Sequence, residues 1–314
     1  MQNTFCVNED CINRKANKNK SMFIRDPATA TIGEEILPFE IDYVPEFFQR
    51  KAEVELFDTP ETRVQGLQQI KELAKNDKHT KHLEFADDFL LQYLRARKYN
   101  VTKAFSQVKA LVQLRKKHPN MFVDFSYDQT VKTISKKIIT ILPWRCQDGC
   151  AIILVELDNW NPAEVSVEEI KRAVVIYLLQ SLHETMTQIN GFKIILDVKS
   201  NPIRHLKHCT PSNIYLIYHG TQDCVAGRFK EVHIVNTSMT FKAAWIIVKP
   251  FLSEKLRNRI IFHSSVESLQ KYLPKAILPV QYGGDLKNYD MSDWLKKAMS
   301  PERLALLGGT ASHT

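Results

Sequence analysis

His205-Leu206-Lys207-His208-Cys209 sets two imidazoles and a thiol at i, i+3 and i+4, a spacing that could offer three metal ligands together. A tetrahedral site needs a fourth ligand, and no second cluster of cysteines or carboxylates supplies it. The stretch reads as a polar loop before a helix starting at Thr210-Pro211. Cys6 and Cys11 have no histidine neighbours, so no metal is expected there either. Acid–base chemistry would need two carboxylates in separated environments. Asp197, ending an apolar strand, and Glu184, on a long helix, are the candidates, and a buried acid tied to a donor or a cation accounts for each. G-x-G-x-x-G, G-x-x-x-x-G-K-[ST] and G-x-S-x-G are all absent, which removes the phosphate cradles and the nucleophile elbow. Neither an enzyme nor a resident cofactor is expected.

The cations are better organised. Lys255, Arg257 and Arg259 crowd into SEKLRNRI, directly after FKAAWIIVKPF, whose Ala243 to Val248 stretch has almost no polar face. A surface helix normally hides one apolar stripe and shows a polar one. Pro250 interrupts the helix and separates it from the cationic segment. Lys255 and Arg259 at i and i+4 share one helix face, and Arg228 and Lys230 at i and i+2 share one strand face. Taken singly, each of these is ordinary solvated charge, and the apolar run alone is an ordinary core helix.

The elements that must position these residues follow from periodicity. Helical patterning begins near Pro45, and Thr59-Pro60-Glu61 is a capped helix start. DDFLLQYLRARKY (87–99) carries the stripe Phe89, Leu90, Tyr93 and Leu94; the next helix repeats it through Val101, Phe105, Val108, Leu111 and Val112. The period then changes. KIITILPW and AIILVEL flank a hairpin turn at Asp148-Gly149, and a long helix runs from Val167 to about Gln188. FKIILDV (192–198), FKEVHIV (229–235) and RIIFH are strands, with PSNIYLIYHG helical between the first two. Strands alternating with helices specify an α/β sheet, mostly parallel, with one antiparallel hairpin.

Bulk properties narrow the partner. A net charge of +8 over 314 residues suits an anion, either nucleic acid or an acidic membrane surface. The basic residues are dispersed without zinc-finger spacing or an RNP-type strand, which counts against nucleic acid. Six cysteines are too few for a disulfide framework, and the polar N-terminus MQNTFCVNEDCINRKANKNK is no signal peptide, so a reduced, cytoplasmic protein is expected. No window approaches the roughly 20 apolar residues of a membrane span. Any membrane contact would be peripheral.

Four stretches in order, DDFLLQYLRARKYN, NGFKIILDV, FKEVHIVN…FKAAWIIVKPFLSEKLRNRI and ILPVQYGGDL, resemble the CRAL-TRIO lipid-transfer family, in the branch of the α-tocopherol and retinaldehyde carriers and the clavesins. The resemblance spans about 46–290. It implies a tail over 1–35, a helical N-terminal domain over 45–135, a lipid-binding domain over 136–290 and a C-terminal helix and tail over 291–314. The implied lipid-binding domain has a mixed, mostly parallel five-stranded sheet flooring an apolar pocket under a lid helix.

By resemblance the chain is a monomeric, non-enzymatic carrier of one hydrophobic molecule, exchanged reversibly at phosphatidylinositol-bisphosphate membranes, endosomal ones among them. The alternative is a phosphoinositide-sensing scaffold without cargo. The branch's headgroup positions fall on Arg97, Arg228, Lys230, Lys255 and Arg259. Its pocket positions fall on Val174, Leu178, Phe192, Ile194, Leu196, Ile214, Ile217 and Val232, and its lid on Phe241, Ala244, Trp245, Ile247 and Val248. Tocopherol carriers have small hydroxyl residues where Val174 and Leu178 stand, so the pocket is drier and the cargo is as readily a retinoid, a sterol-like molecule or a lipid tail. Two further departures are Asp197-Val198-Lys199-Ser200 for Asp-x-Glu-Gly, and Ser238 where proline is usual.

Overall fold

A computed structural model describes residues 36–122, 136–199 and 210–305, together with Thr130, Thr133, His205, Lys207 and His208. Residues 1–35, read above as a tail, lie outside the described residues, as do Cys6, Cys11, Ser200 and Cys209 and everything beyond residue 305. The side chains of Ala244 and Ile247 are likewise outside the description.

Among the described residues four helices come first: α1 (Glu46–Leu56), α2 (Pro60–Asn76), α3 (Asp87–Ala96) and α4 (Val101–Lys117). Thr59 caps α2 with Pro60 in the first turn, and the Thr62 hydroxyl accepts from the Thr59 N–H at 2.9 Å. Phe89, Leu90, Tyr93 and Leu94 are buried on α3 as their spacing requires. On α4 Leu114 completes the buried stripe, whereas Val101 and Val112 are half-buried. Two consecutive left-handed residues, Lys98 (φ 53°) and Tyr99 (φ 56°), turn the chain sharply between α3 and α4.

The sheet consists of β1 (Ile139–Ile141), β2 (Ala151–Glu156), β3 (Phe192–Asp197), β4 (Phe229–Val235) and β5 (Ile260–Phe262), in that spatial order. β1 is antiparallel to β2 and the other three pairings are parallel. When neighbouring strands follow in sequence order and each parallel crossover has the usual hand, the crossover helices gather on one face. These helices are α5 (Val167–Ser181), α6 (Thr185–Asn190), α7 (Pro211–His219), α8 (Met239–Val248) and the single turn α9 (Glu254–Arg257). Leu269, Leu273, Ile277, Leu278 and Tyr282 cover the opposite face, packing on Ile152, Leu154, Ile195 and Val235. Two short helices, α10 (Ser292–Ala298) and α11 (Pro301–Ala305), follow; α10 stacks Trp294 on Tyr177 of α5 at 5.6 Å.

The single helix expected from Val167 to about Gln188 is two. It stops at Ser181, whose hydroxyl bonds back to the Tyr177 carbonyl, and the Gln188 side chain takes the freed Leu182 carbonyl at 2.7 Å. Among the described residues no helix is long and apolar enough to cross a membrane.

Candidate lipid and headgroup site

Register decides which residues can line a cavity. Ile153, Ile194, Val232 and Ile260 are aligned across β2 to β5, and so are Val155, Leu196, Ile234 and Phe262. Both rows face the helices, since their alternates Ile152, Leu154, Ile195 and Val235 pack on the far side. A central strand flanked on both sides should be sealed. Yet Ile194 and Leu196 of β3 are only half-buried, as are Val155 and Val232 beside them. Phe262 is 46% exposed. The result is an apolar, incompletely covered sheet face.

Helices approach that face. Val174 of α5 and Ile214 of α7 are half-buried. Leu178 (5% exposed) and Phe192 (0%) are sealed in the main core, Phe192 stacking on Phe229 at 5.5 Å, so neither offers open surface to a cargo. Ile217 and Tyr215 of α7 are exposed, at 57% and 59%.

Helix α8 is capped by the Ser238 hydroxyl, which accepts from the Phe241 N–H at 3.1 Å. It runs into a 3-10 turn at Lys249–Phe251 that contains Pro250. Phe241, Trp245 and Val248 form one half-buried stripe, and the Trp245 ring meets Phe262 edge-on at 5.3 Å. The opposite stripe holds Met239 (79% exposed) and Ile246 (72%), which the sequence reading passed over. A run apolar all round has no period from which to choose its outer face.

The basic residues converge from distant elements. Arg97 closes α3, donating to the Gln107 side chain at 2.8 Å and to the Gln222 carbonyl at 3.0 Å. Its neighbour Arg95 is a different kind of residue, buried against Asp58 at 2.9 Å and hydrogen-bonded to Gln188. Arg228 lies just before β4 and donates to the Ile189 carbonyl at 2.5 Å. Its carbonyl receives the Phe192 N–H at 2.8 Å, an approach that only Gly191 allows, because a Cβ there would stand 1.9 Å from that oxygen.

Lys230 is the extra residue of a bulge, since Phe192 pairs with Phe229 and Lys193 with Glu231. The simple strand-face argument for Arg228 and Lys230 therefore gives way to a bulge that places both at the strand's entry. Similarly, α9 ends at Arg257, so Lys255 and Arg259 do not share a helix face. The turn after the helix brings Arg259 to the Phe229 carbonyl, and Lys255 still feels its charge.

Mutual repulsion marks the cluster. The Lys255 ammonium is pushed below the usual lysine range by Arg259 first, then by partial burial, Arg97, Arg228 and Lys98. Burial, with a smaller push from Arg228 and Lys51, brings Lys230 down to about 8. Burial also lowers Arg228, with Arg259 adding to the effect and Glu55 opposing it. Lys98 and Lys51 thus join the five cations named from sequence. Lys98 was legible as the neighbour of Arg97; Lys51, held by Asn190 at 2.8 Å, comes from α1 and had no local signal. Such a concentration of cations, only partly offset by Glu55, is stabilised by a polyanion.

The candidate catalytic residues are occupied otherwise. Asp197 accepts from Asn236, Tyr282 and the Lys199 N–H, and Glu184 accepts from the Ile41 N–H at 3.5 Å. His205 stacks on Trp160 at 4.9 Å, and among the described residues no group of three or more His, Cys, Asp or Glu is arranged to hold a metal ion.

Against known proteins, a family model described as the CRAL/TRIO domain matches residues 135–284, and one described as the CRAL/TRIO N-terminal domain matches 46–110. The "Alpha-tocopherol transfer protein-like" protein of Homo sapiens is 30% identical over 275 residues, which cover 85% of this chain and 80% of that protein. Clavesin-1 of Rattus norvegicus is 32% identical over 257 residues, covering 80% of this chain and 72% of its own.

Proposed function

Given that the chain belongs to the CRAL/TRIO family, we propose that it is a non-enzymatic carrier that binds one hydrophobic molecule and exchanges it at membranes containing phosphatidylinositol bisphosphate. The observation that carries this reading is the half-open apolar face at Ile194 and Leu196 on the central strand. Leaving such surface wet costs about 25 cal/mol per Å², a cost removed when an apolar cargo covers it. Val174 provides no hydroxyl to fix a polar cargo tip, which favours a retinoid-like or lipid-tail cargo over one anchored by its hydroxyl.

Membrane exchange needs intermediate affinity. Each apolar side chain that leaves water contributes roughly 1.5–3 kcal/mol, and each cation beside an anionic leaflet adds about 1 kcal/mol. Met239 and Ile246 with the basic cluster give reversible docking, short of permanent anchorage. Headgroup phosphates relieve the repulsion between Arg259 and Lys255, α8 enters the interface, and the sheet face opens to lipid. Contact is peripheral and reversible, with the carrier acting as a monomer.

Native mass spectrometry and solvent extraction of the purified protein test the cargo. A co-purifying apolar molecule is expected; a pocket persistently free of lipid would leave the phosphoinositide-sensing scaffold. Lys255→Ala/Arg259→Ala tests the headgroup assignment, with binding to phosphoinositide vesicles expected to weaken roughly tenfold or more. Full retention of binding would refute it.

A further inference from the structure

We propose that Cys146 and Cys150 are a redox-active pair, a modification site at which a hydroperoxide joins two facing thiols into a reversible disulfide across the β1–β2 connection. The turn itself puts them opposite each other. The Gly149 N–H donates to the Cys146 carbonyl at 2.8 Å, Gly149 takes φ 78°, and the Cys146 N–H donates to the Cys150 carbonyl at 3.2 Å. Gly149 is then the extra residue of a bulge, and Cys146 and Cys150 are cross-strand partners. Neighbouring strands lie ~4.7–4.9 Å apart, inside the ~4.4–6.8 Å between Cα atoms that a disulfide requires.

The side chains agree with the backbone. Both thiols are free, each shifts the other's hold on its proton, and both belong to the core on the sheet face away from the helices. The Cys150 thiol also donates to the Asn190 carbonyl at 3.3 Å. Lys193 brings a positive charge to the pair while bonding Asp148 and Glu231 at 2.9 Å each. The neighbouring Cys150 thiol, with help from Lys193, brings Cys146 down to about 7, while Cys146 and burial push Cys150 well up. Cys146 is therefore the nucleophile and Cys150 the resolving thiol. Gln147 and Asp148 at the tip are exposed, so the pair lies just beneath the surface. Cys224 is buried too, but burial pushes it up to about 12, which makes it an unreactive internal reference.

The chemistry balances with hydrogen peroxide as oxidant. The Cys146 thiolate attacks one peroxide oxygen, the O–O bond breaks, and the departing hydroxide takes a proton to leave as water. Cys146 is then a sulfenic acid. Cys150 attacks that sulfur, the S–O bond breaks, and the second hydroxide leaves as water with the Cys150 proton. Two thiols have lost two electrons and two protons, and the peroxide has gained them. A dithiol reductant reverses the reaction by exchange.

The test uses the full native chain and does not depend on what the pocket carries. Protein is exposed to graded hydrogen peroxide, quenched with N-ethylmaleimide after denaturation, and mapped by peptide and intact mass. The expected product has lost two hydrogens, links the Cys146 and Cys150 peptides, and reverts with dithiothreitol. It should form roughly tenfold or more faster than Cys224 oxidises, with a rate that climbs as pH passes about 7. Cys150→Ser should accumulate a dimedone-reactive Cys146. The proposal is overturned if Cys146 and Cys150 stay alkylatable at doses that oxidise other thiols, or if they pass to sulfinic acid without any linked peptide. The decisive measurement is made on the unsubstituted chain, so a misfolded variant cannot obscure it.

Discussion

At the residue scale, two groups hold protons against their surroundings, and each makes pH a usable probe. Lys230 is brought down to about 8 by burial and neighbouring cations, so part of the cluster's charge is lost as pH rises through that value. Adsorption to phosphoinositide vesicles should weaken over the same range. Lys230→Arg keeps its charge there, so its adsorption should stay level; an equal decline in both proteins would remove Lys230 from the site. The second group is Glu156. The Tyr282 hydroxyl lies 2.8 Å from Asp197 and 3.0 Å from Glu156, yet a phenol has one proton to give. Asp197 already accepts both contacts from the Asn236 amide and is the natural recipient. Burial, with Asp197 as a further cause, holds Glu156 above the usual carboxylate range. Its stabilising contribution is complete below the unfolded pKa and is lost as pH rises through the folded one. Denaturant titrations should therefore show wild type losing stability relative to Glu156→Gln as pH climbs from acid toward neutral, and parallel curves would count against a protonated Glu156.

At the element scale, α8 combines a packed stripe with an exposed apolar one. The sequence made α8 legible as a helix through its apolar run and Pro250, the Ser238 cap emerging only in the structure, and FKEVHIV marked β4 to the residue. It could not orient α8, because a run without a polar stripe has no hydrophobic phase. Tertiary partners set the other differences. The break after Ser181 depends on Gln188, which Arg95 in turn holds, and no glycine or proline announces it. The bulge at Lys230 answers to pairing with β3, which local pattern does not encode. With Trp245 turned to Phe262 and Ile246 72% exposed, the two faces of α8 can be probed separately. Ile246→Asp should leave thermal stability within about 0.5 kcal/mol while slowing lipid transfer between vesicles roughly tenfold or more, since one inserted side chain contributes about 1.5–3 kcal/mol. Loss of stability instead would mean that Ile246 is packed rather than outward-facing, and unchanged transfer would mean that this face does not meet lipid.

At the scale of the whole molecule, charge and apolar surface have to act from the same part of the chain. Residues 1–35 contain five basic and five acidic residues, so the entire net charge of +8 resides in residues 36–314. The cations that repel one another, Arg97, Lys98, Arg228, Lys255 and Arg259, come from the α3–α4 corner, the entry of β4, and α9 with the turn after it. They are assembled by the fold, not by any local run of basic sequence. If docking is driven by this assembled cluster, it should fall with ionic strength, because exposed charges are screened over a Debye length of about 8–10 Å near physiological salt. A chain lacking residues 1–35 should then bind phosphoinositide vesicles with the same affinity and the same salt slope as the full chain. Lys255→Ala/Arg259→Ala should bind more weakly and with a shallower slope, while a doubly substituted control at Lys296 and Lys297, which pair with Asp293 and Glu40, should keep both. Co-sedimentation over a salt series distinguishes these outcomes. A slope that collapses on removing 1–35, or falls equally in the control, would show that diffuse charge rather than the folded cluster carries the attraction.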